Sequence, residues 1–332
     1  MSYDIHNVLG FRTQGGITID IRLAYKCYGT LAPSRDNVIL VLTSYSAQHE
    51  DAEALFAGSK ILDLSHYFIV VINMIGNGLS TSPSNVPAPL GRSTFPAITV
   101  HDNVACQHRL ITEKLGIKRL RLVMGFSMGA LQTFEWGCQH TGIVDAILPI
   151  CGAARVSPHN YLFLDGAKAA LTTDRNFRQG LYETPPIAGL LAFGRVYAGW
   201  VFSQTFFRER AYEAMGLASM EDAVRMIQNY FMRRDANDLL AMLWTWQHAD
   251  ISANTRFRGD FEGALRSIAC RAIVMPGETD LYFTVADSVN EVSYMPRGEL
   301  RVIASVNGHM AGSGMDSAGK LAIDNAINDL LN

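Results

Sequence analysis

Ser127 stands between Gly125 and Gly129 in RLRLVMGFSMGALQTFEW, residues 119–136, where an apolar run gives way to a helical pattern. A serine hydroxyl is a weak nucleophile at neutral pH and needs a base, a fixed orientation and an oxyanion site. A sharp strand-to-helix turn supplies the orientation. It also aims the helix N-terminal N–H groups, with their partial positive charge, at the developing oxyanion. Such a turn demands small residues two positions either side of the serine, which Gly125 and Gly129 satisfy. The bare G-x-S-x-G string arises easily by chance. Its context carries the reading: Leu120, Leu122, Val123 and Met124 form a strand-like run, and Ala130, Leu131, Phe134 and Trp136 recur at helical spacing.

Two later loops supply partners in the chain order nucleophile, acid, base. The run 272–276 reads as a strand and opens into GETDLYFT, which puts Asp280 just beyond it. Glu278 and Asp287 compete for the same role. The run 299–304 leads into SVNGHMAG and offers His309. In this reading His309 takes the serine proton, and Asp280 holds the other ring nitrogen and stabilises the imidazolium. The other histidines have structural or solvated explanations, among them His101, His108, His140 and His248. The oxyanion site is expected from the backbone N–H of Met128 and that of Tyr45, in the loop VLTSYSAQHED. The Gly/Ser/Pro-rich segment 73–85 is expected to wall the pocket. It is not a phosphate loop, because no Lys-Ser/Thr pair or helix follows its glycines.

These side chains need a scaffold. Apolar runs at 17–25, 37–42, 67–73, 120–124, 145–150, 272–276 and 299–304 read as strands. Continuous β-branched runs suit parallel strands buried on both faces. Helical patterns at 99–115, 128–140 and 318–331 alternate with them, which predicts an α/β fold with a doubly wound, mostly parallel sheet. Residues 160–171, 190–210, 221–233 and 237–249 are helical in pattern with no strand between them. The expected organisation is a core of residues 1–155 and 261–332 interrupted by an all-helical lid, 156–260. Within that lid Phe193, Trp200, Phe202, Trp244 and Trp246 are assigned to internal packing and subunit contact rather than to substrate.

Composition narrows the partners. The chain has 332 residues, 48% hydrophobic and 18% charged, with a net charge of −3. No block of like charge favours nucleic acid or an anionic membrane. The N-terminal MSYDIHNVLGF lacks the basic and apolar regions of a secretory signal. No apolar stretch approaches the ~18–20 residues of a membrane span. Five cysteines (27, 106, 138, 151 and 270) are scattered without a C-x-x-C pair. They read as reduced thiols in a cytoplasmic protein with no metal and no cofactor.

Four segments together resemble one family: the elbow GFSMGALQTFEW, DNVACQHRLITEKLGI before it, FMRRDANDLL in the lid, and DLYFT from Asp280. They are similar to the homoserine O-acetyltransferase-like branch of the α/β-hydrolase superfamily, on its esterase side. The resemblance implies an α/β-hydrolase fold, a Ser127–Asp280–His309 triad, and a lid that covers a narrow acyl pocket and forms a homodimer interface. It implies acyl transfer to serine and then to water in the esterases, or from acyl-CoA to homoserine in the transferases. Arg195 matches the transferase arginine that grips the homoserine carboxylate, and its guanidinium suits a carboxylate. The transferase tyrosine two turns further along is Phe202 here, and the aspartate after the catalytic histidine is Met310. The loop TSYSA also departs from the transferase pattern. The favoured expectation is a hydrolase of small acyl esters, chiefly acetates. The alternatives are a homoserine O-acetyltransferase and a non-catalytic binding protein.

Overall fold

The computed structural model describes residues 3–314 and 317–332. Eight strands form one sheet: β1 (Asp4–Arg12), β2 (Thr18–Tyr28), β3 (Val38–Leu42), β4 (Phe68–Ile72), β5 (Leu122–Phe126), β6 (Ala146–Ile150), β7 (Arg271–Val274) and β8 (Gly298–Leu300). Their order is β1-β2-β4-β3-β5-β6-β7-β8 among the described residues. β2 runs antiparallel to both neighbours, and every pair from β4 to β8 is parallel.

Side-chain alternation divides the core. Leu40, Leu42, Val70, Ile72, Val123 and Ile147 belong to one buried cluster, with helices Val100–Arg109 and Met128–Gln139. Ile39, Val41, Ile69, Val71, Leu122 and Met124 belong to the other, with helix Ser317–Leu331. Both faces being covered, β3, β4 and β6 have no exposed position. That explains their unbroken apolar runs.

Several boundaries differ from the expected ones. β1 has no counterpart in the reading above: only Val8 of its nine residues is buried, so this edge strand shows no apolar period. β5 begins at Leu122 rather than 120; Leu120 makes only an isolated bridge to Val144. β8 is three residues long, and Ile303 bridges Gly277 beyond it. Helix Val285–Tyr294 was also not anticipated. Between β6 and β7 the principal helices are Pro158–Thr172, Ile187–Val201, Met220–Phe231 and Ala236–Gln247. The expected helix 190–210 is broken, because Phe202 turns extended and Ser203 caps a new helix by accepting from Phe206 N. No helix of the described residues is long and apolar enough to cross a membrane.

Candidate active site

Chain order runs β3 to β4 on one side and then back across β3 to β5. The topology therefore reverses between β3 and β5, which makes the carboxyl ends of these strands the expected crevice of an open α/β sheet. Ser127 lies directly after β5, at φ 58° and ψ −122°. Positive φ for a β-carbon residue costs about 1–3 kcal/mol and is typical of a functional turn. The turn is held by Ser127 N donating to Ile150 O at 2.9 Å, and by Ala130 N donating to Ser127 O at 2.8 Å. A β-carbon on Gly125 would lie 2.5 Å from the Gly129 carbonyl carbon, and one on Gly129 would lie 2.4 Å from Leu42 O. Both positions require glycine because strand and helix touch there. Met128 opens the helix Met128–Gln139, so its N–H has no intrahelical acceptor.

Tyr45 follows β3. Its hydroxyl donates to Leu239 O at 2.8 Å, and its ring stacks on Tyr197 at 5.9 Å. Burial raises the hydroxyl pKa well above its ordinary value, so it stays a donor. With the side chain anchored, the Tyr45 N–H is left without an acceptor among the described residues.

The acid and base loops meet behind the serine. His309 Nδ1 lies 2.8 Å from Asp280 Oδ2. Asp280 Oδ1 accepts from Tyr282 N at 2.8 Å and Phe283 N at 3.3 Å, which fixes the carboxyl in place. Glu278 is exposed, and Asp287 lies in the first turn of the following helix, where its carboxylate accepts from the hydroxyl of the capping Thr284 at 2.7 Å. Of the three candidate acids, only Asp280 reaches His309. The His309 ring is packed between Phe126 at 4.7 Å and Tyr282 at 4.6 Å. Its Nε2 is buried without a hydrogen-bond partner. Gly308 has φ +63° and lies so close to Val201 and Phe202 that a β-carbon would fall 2.8 Å from the Val201 carbonyl oxygen. The base loop is thus pressed against the end of a helix from the segment between β6 and β7.

Ser127 and His309 line one cavity of about 340 Å³. Leu42, Leu55, Val201, Met226, Phe231 and Met310 give it a mainly apolar wall. None of Phe193, Trp200, Phe202, Trp244 and Trp246 lines it; Phe193 and Trp246 are fully buried in the core. Arg195 is not brought to the serine either. Its side chain is 54% exposed and its guanidinium is held by Glu221, which raises the arginine pKa through a hydrogen bond. The segment 73–85 does not wall this cavity. Its Gly76, Asn77, Gly78 and Ser84 line a second cavity beside it.

Two residues at the site escaped the sequence reading. Tyr230 lines the cavity from helix Met220–Phe231, and nothing in its amphipathic pattern distinguishes it from the other residues of that helix. Cys151, at φ 46° directly after β6, is buried close to the Asp280 carboxylate. Burial, then the Asp280 charge, push the thiol pKa far up, so it remains neutral. Among the described residues no cluster of His, Cys, Asp and Glu is arranged to hold a metal ion.

A family model described as alpha/beta hydrolase fold matches residues 52–312. The chain belongs to the α/β-hydrolase family. Within that family, this hydrolase is 38% identical to the ethyl acetate hydrolase of Pseudomonas veronii, over 93% of the chain and 89% of that protein. It is 30% identical to the homoserine O-acetyltransferase of Trichormus variabilis, over 90% of the chain and 85% of that enzyme. The solved structure of the acetyl esterase MekB superposes with a TM-score of 0.96 at 35% identity, covering all of this chain and 97% of that one.

Proposed function

We propose that this hydrolase cleaves carboxylic esters of small acids, acetates first, through an acyl-Ser127 intermediate. The observation that supports it best is the pairing of His309 Nδ1 with Asp280, while its free Nε2 and Ser127 border one apolar cavity. Ser127 Oγ attacks the ester carbonyl as His309 Nε2 accepts its proton. The oxyanion is met by the N–H groups of Tyr45 and Met128. Collapse releases the alcohol, which takes the proton from His309. A water then attacks the acyl-serine by the same route, and the free acid leaves. Asp280 holds the ring and its positive charge throughout.

Three features favour water over homoserine as the acceptor. Met310 presents a thioether to the cavity where the transferases carry a carboxylate for the amine. A missing partner of that kind costs about 2–5 kcal/mol of binding. Phe202 is buried against Phe206, and Arg195 is spent on Glu221 outside the cavity. Exposed Leu162, Ile187 and Leu191 on two helices between β6 and β7 support pairing of two copies through that face. The test supplies one acetyl donor with water alone and with added homoserine. Ser127-dependent release of acetate, with no O-acetylhomoserine by mass spectrometry, is expected; acylation of homoserine well above hydrolysis would replace the esterase reading.

A further inference from the structure

Beside the acyl cavity lies a second cavity of about 240 Å³, lined by the loop after β4 and the turn before helix Ala236–Gln247. Arg233 lines both cavities, and Tyr230 lines the acyl one.

The carboxylates of this second cavity are already engaged. Asp235 accepts from Asn237 N and Asp238 N. Asp238 accepts from Ser84 N at 2.9 Å and Ser84 Oγ at 2.6 Å. Asp51, which lines the acyl cavity instead, takes Arg234 Nη2 at 3.2 Å. What lacks a partner is a set of donors. Ser46 is 2% exposed and its Oγ makes no hydrogen bond, and Arg234 Nε is likewise buried and unpaired. The Arg233 guanidinium makes no ion pair or hydrogen bond among the described residues and lies over the Tyr230 ring, 5.7 Å from its centroid. Buried donors without acceptors cost free energy, and a bound acceptor removes that cost. Guanidinium groups recognise planar oxyanions in particular.

We propose that this cavity binds a carboxylate carried on the alcohol side of the ester, with Arg233 as its main contact and Ser46 and Arg234 Nε as its floor. The inference rests on the esterase reading. It makes the enzyme selective for acetylated hydroxy acids over neutral esters.

The test compares kcat/KM for ethyl acetate, 3-acetoxypropanoate and 4-acetoxybutanoate in the wild type, Arg233→Ala, Arg233→Lys and Ser46→Ala. Arg233→Ala is expected to lower the ratio of carboxylate ester to ethyl acetate by about tenfold or more, mainly through KM, with partial recovery in Arg233→Lys. Ser46→Ala is expected to lower the ratio in the same direction by a smaller factor. A ratio that stays within about threefold of wild type overturns the proposal and leaves Arg233 a solvated surface charge. Thermal melting with inorganic phosphate separates the source of the anion. An Arg233-dependent rise with an unchanged ester ratio assigns the cavity to a free anion and overturns the substrate-tail assignment. Absence of any Ser127-dependent turnover of ethyl acetate defeats the esterase reading, whereas the phosphate melt still reads the cavity independently.

Discussion

Leu42 and Gly125 are register partners on the adjacent parallel strands β3 and β5. Each chain runs three residues beyond that pair, one to Tyr45 and the other to Met128. The two N–H groups assigned to the oxyanion are therefore set by one strand register rather than by loop packing. A slip of β3 would displace the Tyr45 donor, and a slip of β5 would displace Met128 and Ser127 together.

If Ser127 carries the acyl group, Ser127→Ala should cut p-nitrophenyl acetate hydrolysis by about 10⁴-fold or more while leaving far-ultraviolet dichroism unchanged. A fluorophosphonate should add its mass to the wild type alone. Equal labelling of both proteins would exclude this serine.

Gly129→Ala should destabilise the fold, because its β-carbon would meet Leu42 O at 2.4 Å. Overpacking against backbone costs about 1–3 kcal/mol. The urea midpoint should fall accordingly, and activity should fall further as the elbow shifts. Gly199→Ala, where nothing lies within 4 Å, is the control expected to leave the midpoint unmoved or raised.

Asp280→Asn keeps the shape of the side chain but not its charge. It weakens the acceptor facing Tyr282 N and Phe283 N and removes the counter-charge at His309 Nδ1. A loss in kcat of about 10³–10⁴-fold is expected, with little change in KM. A loss confined to KM would mean that Asp280 holds substrate instead.

Stability should decline between pH 4.5 and about 8 because of Glu291. This carboxyl accepts from Ala154 N at 2.7 Å, and burial pushes its pKa up to about 8 from 4.5. The folded state keeps its proton where the unfolded chain has lost it. Its contribution is fully present below pH 4.5 and disappears as the pH rises through about 8. Glu291→Gln should flatten the fall in melting temperature across that window. A wild-type curve with no slope there would contradict the assignment.

Acid should weaken the fold through His140. It stacks on His108 at 3.9 Å, and burial lowers its pKa to about 3. The unfolded chain gains a proton below pH 6.5 that the folded state refuses, so stability falls from there toward about pH 3. His140→Leu should reduce this slope in melting temperatures taken across that range.

The sequence by itself carried the chemistry and its order. Glycines around Ser127 are legible because steric exclusion leaves no other residue type, and unbroken apolar runs announce strands buried on two faces. Asp280 stood out by lying just past a strand, although only geometry separates it from Asp287, which accepts from the Thr284 hydroxyl instead. β1 was illegible because an edge strand buries one residue and so has no hydrophobic period. The helix break at Phe202 was illegible for a different reason: it depends on contact with Gly308, more than a hundred positions away. Arg195 shows the same limit. A helical pattern states which residues share a stripe but not which neighbouring element receives it, and the structure gives this guanidinium to Glu221. Local sterics and periodicity determined the elbow around Ser127 and the scaffold. The cavity walls, the partner of Arg195 and the free donors around Arg233 were decided only when distant segments packed together, because each depends on long-range contacts that no local window contains.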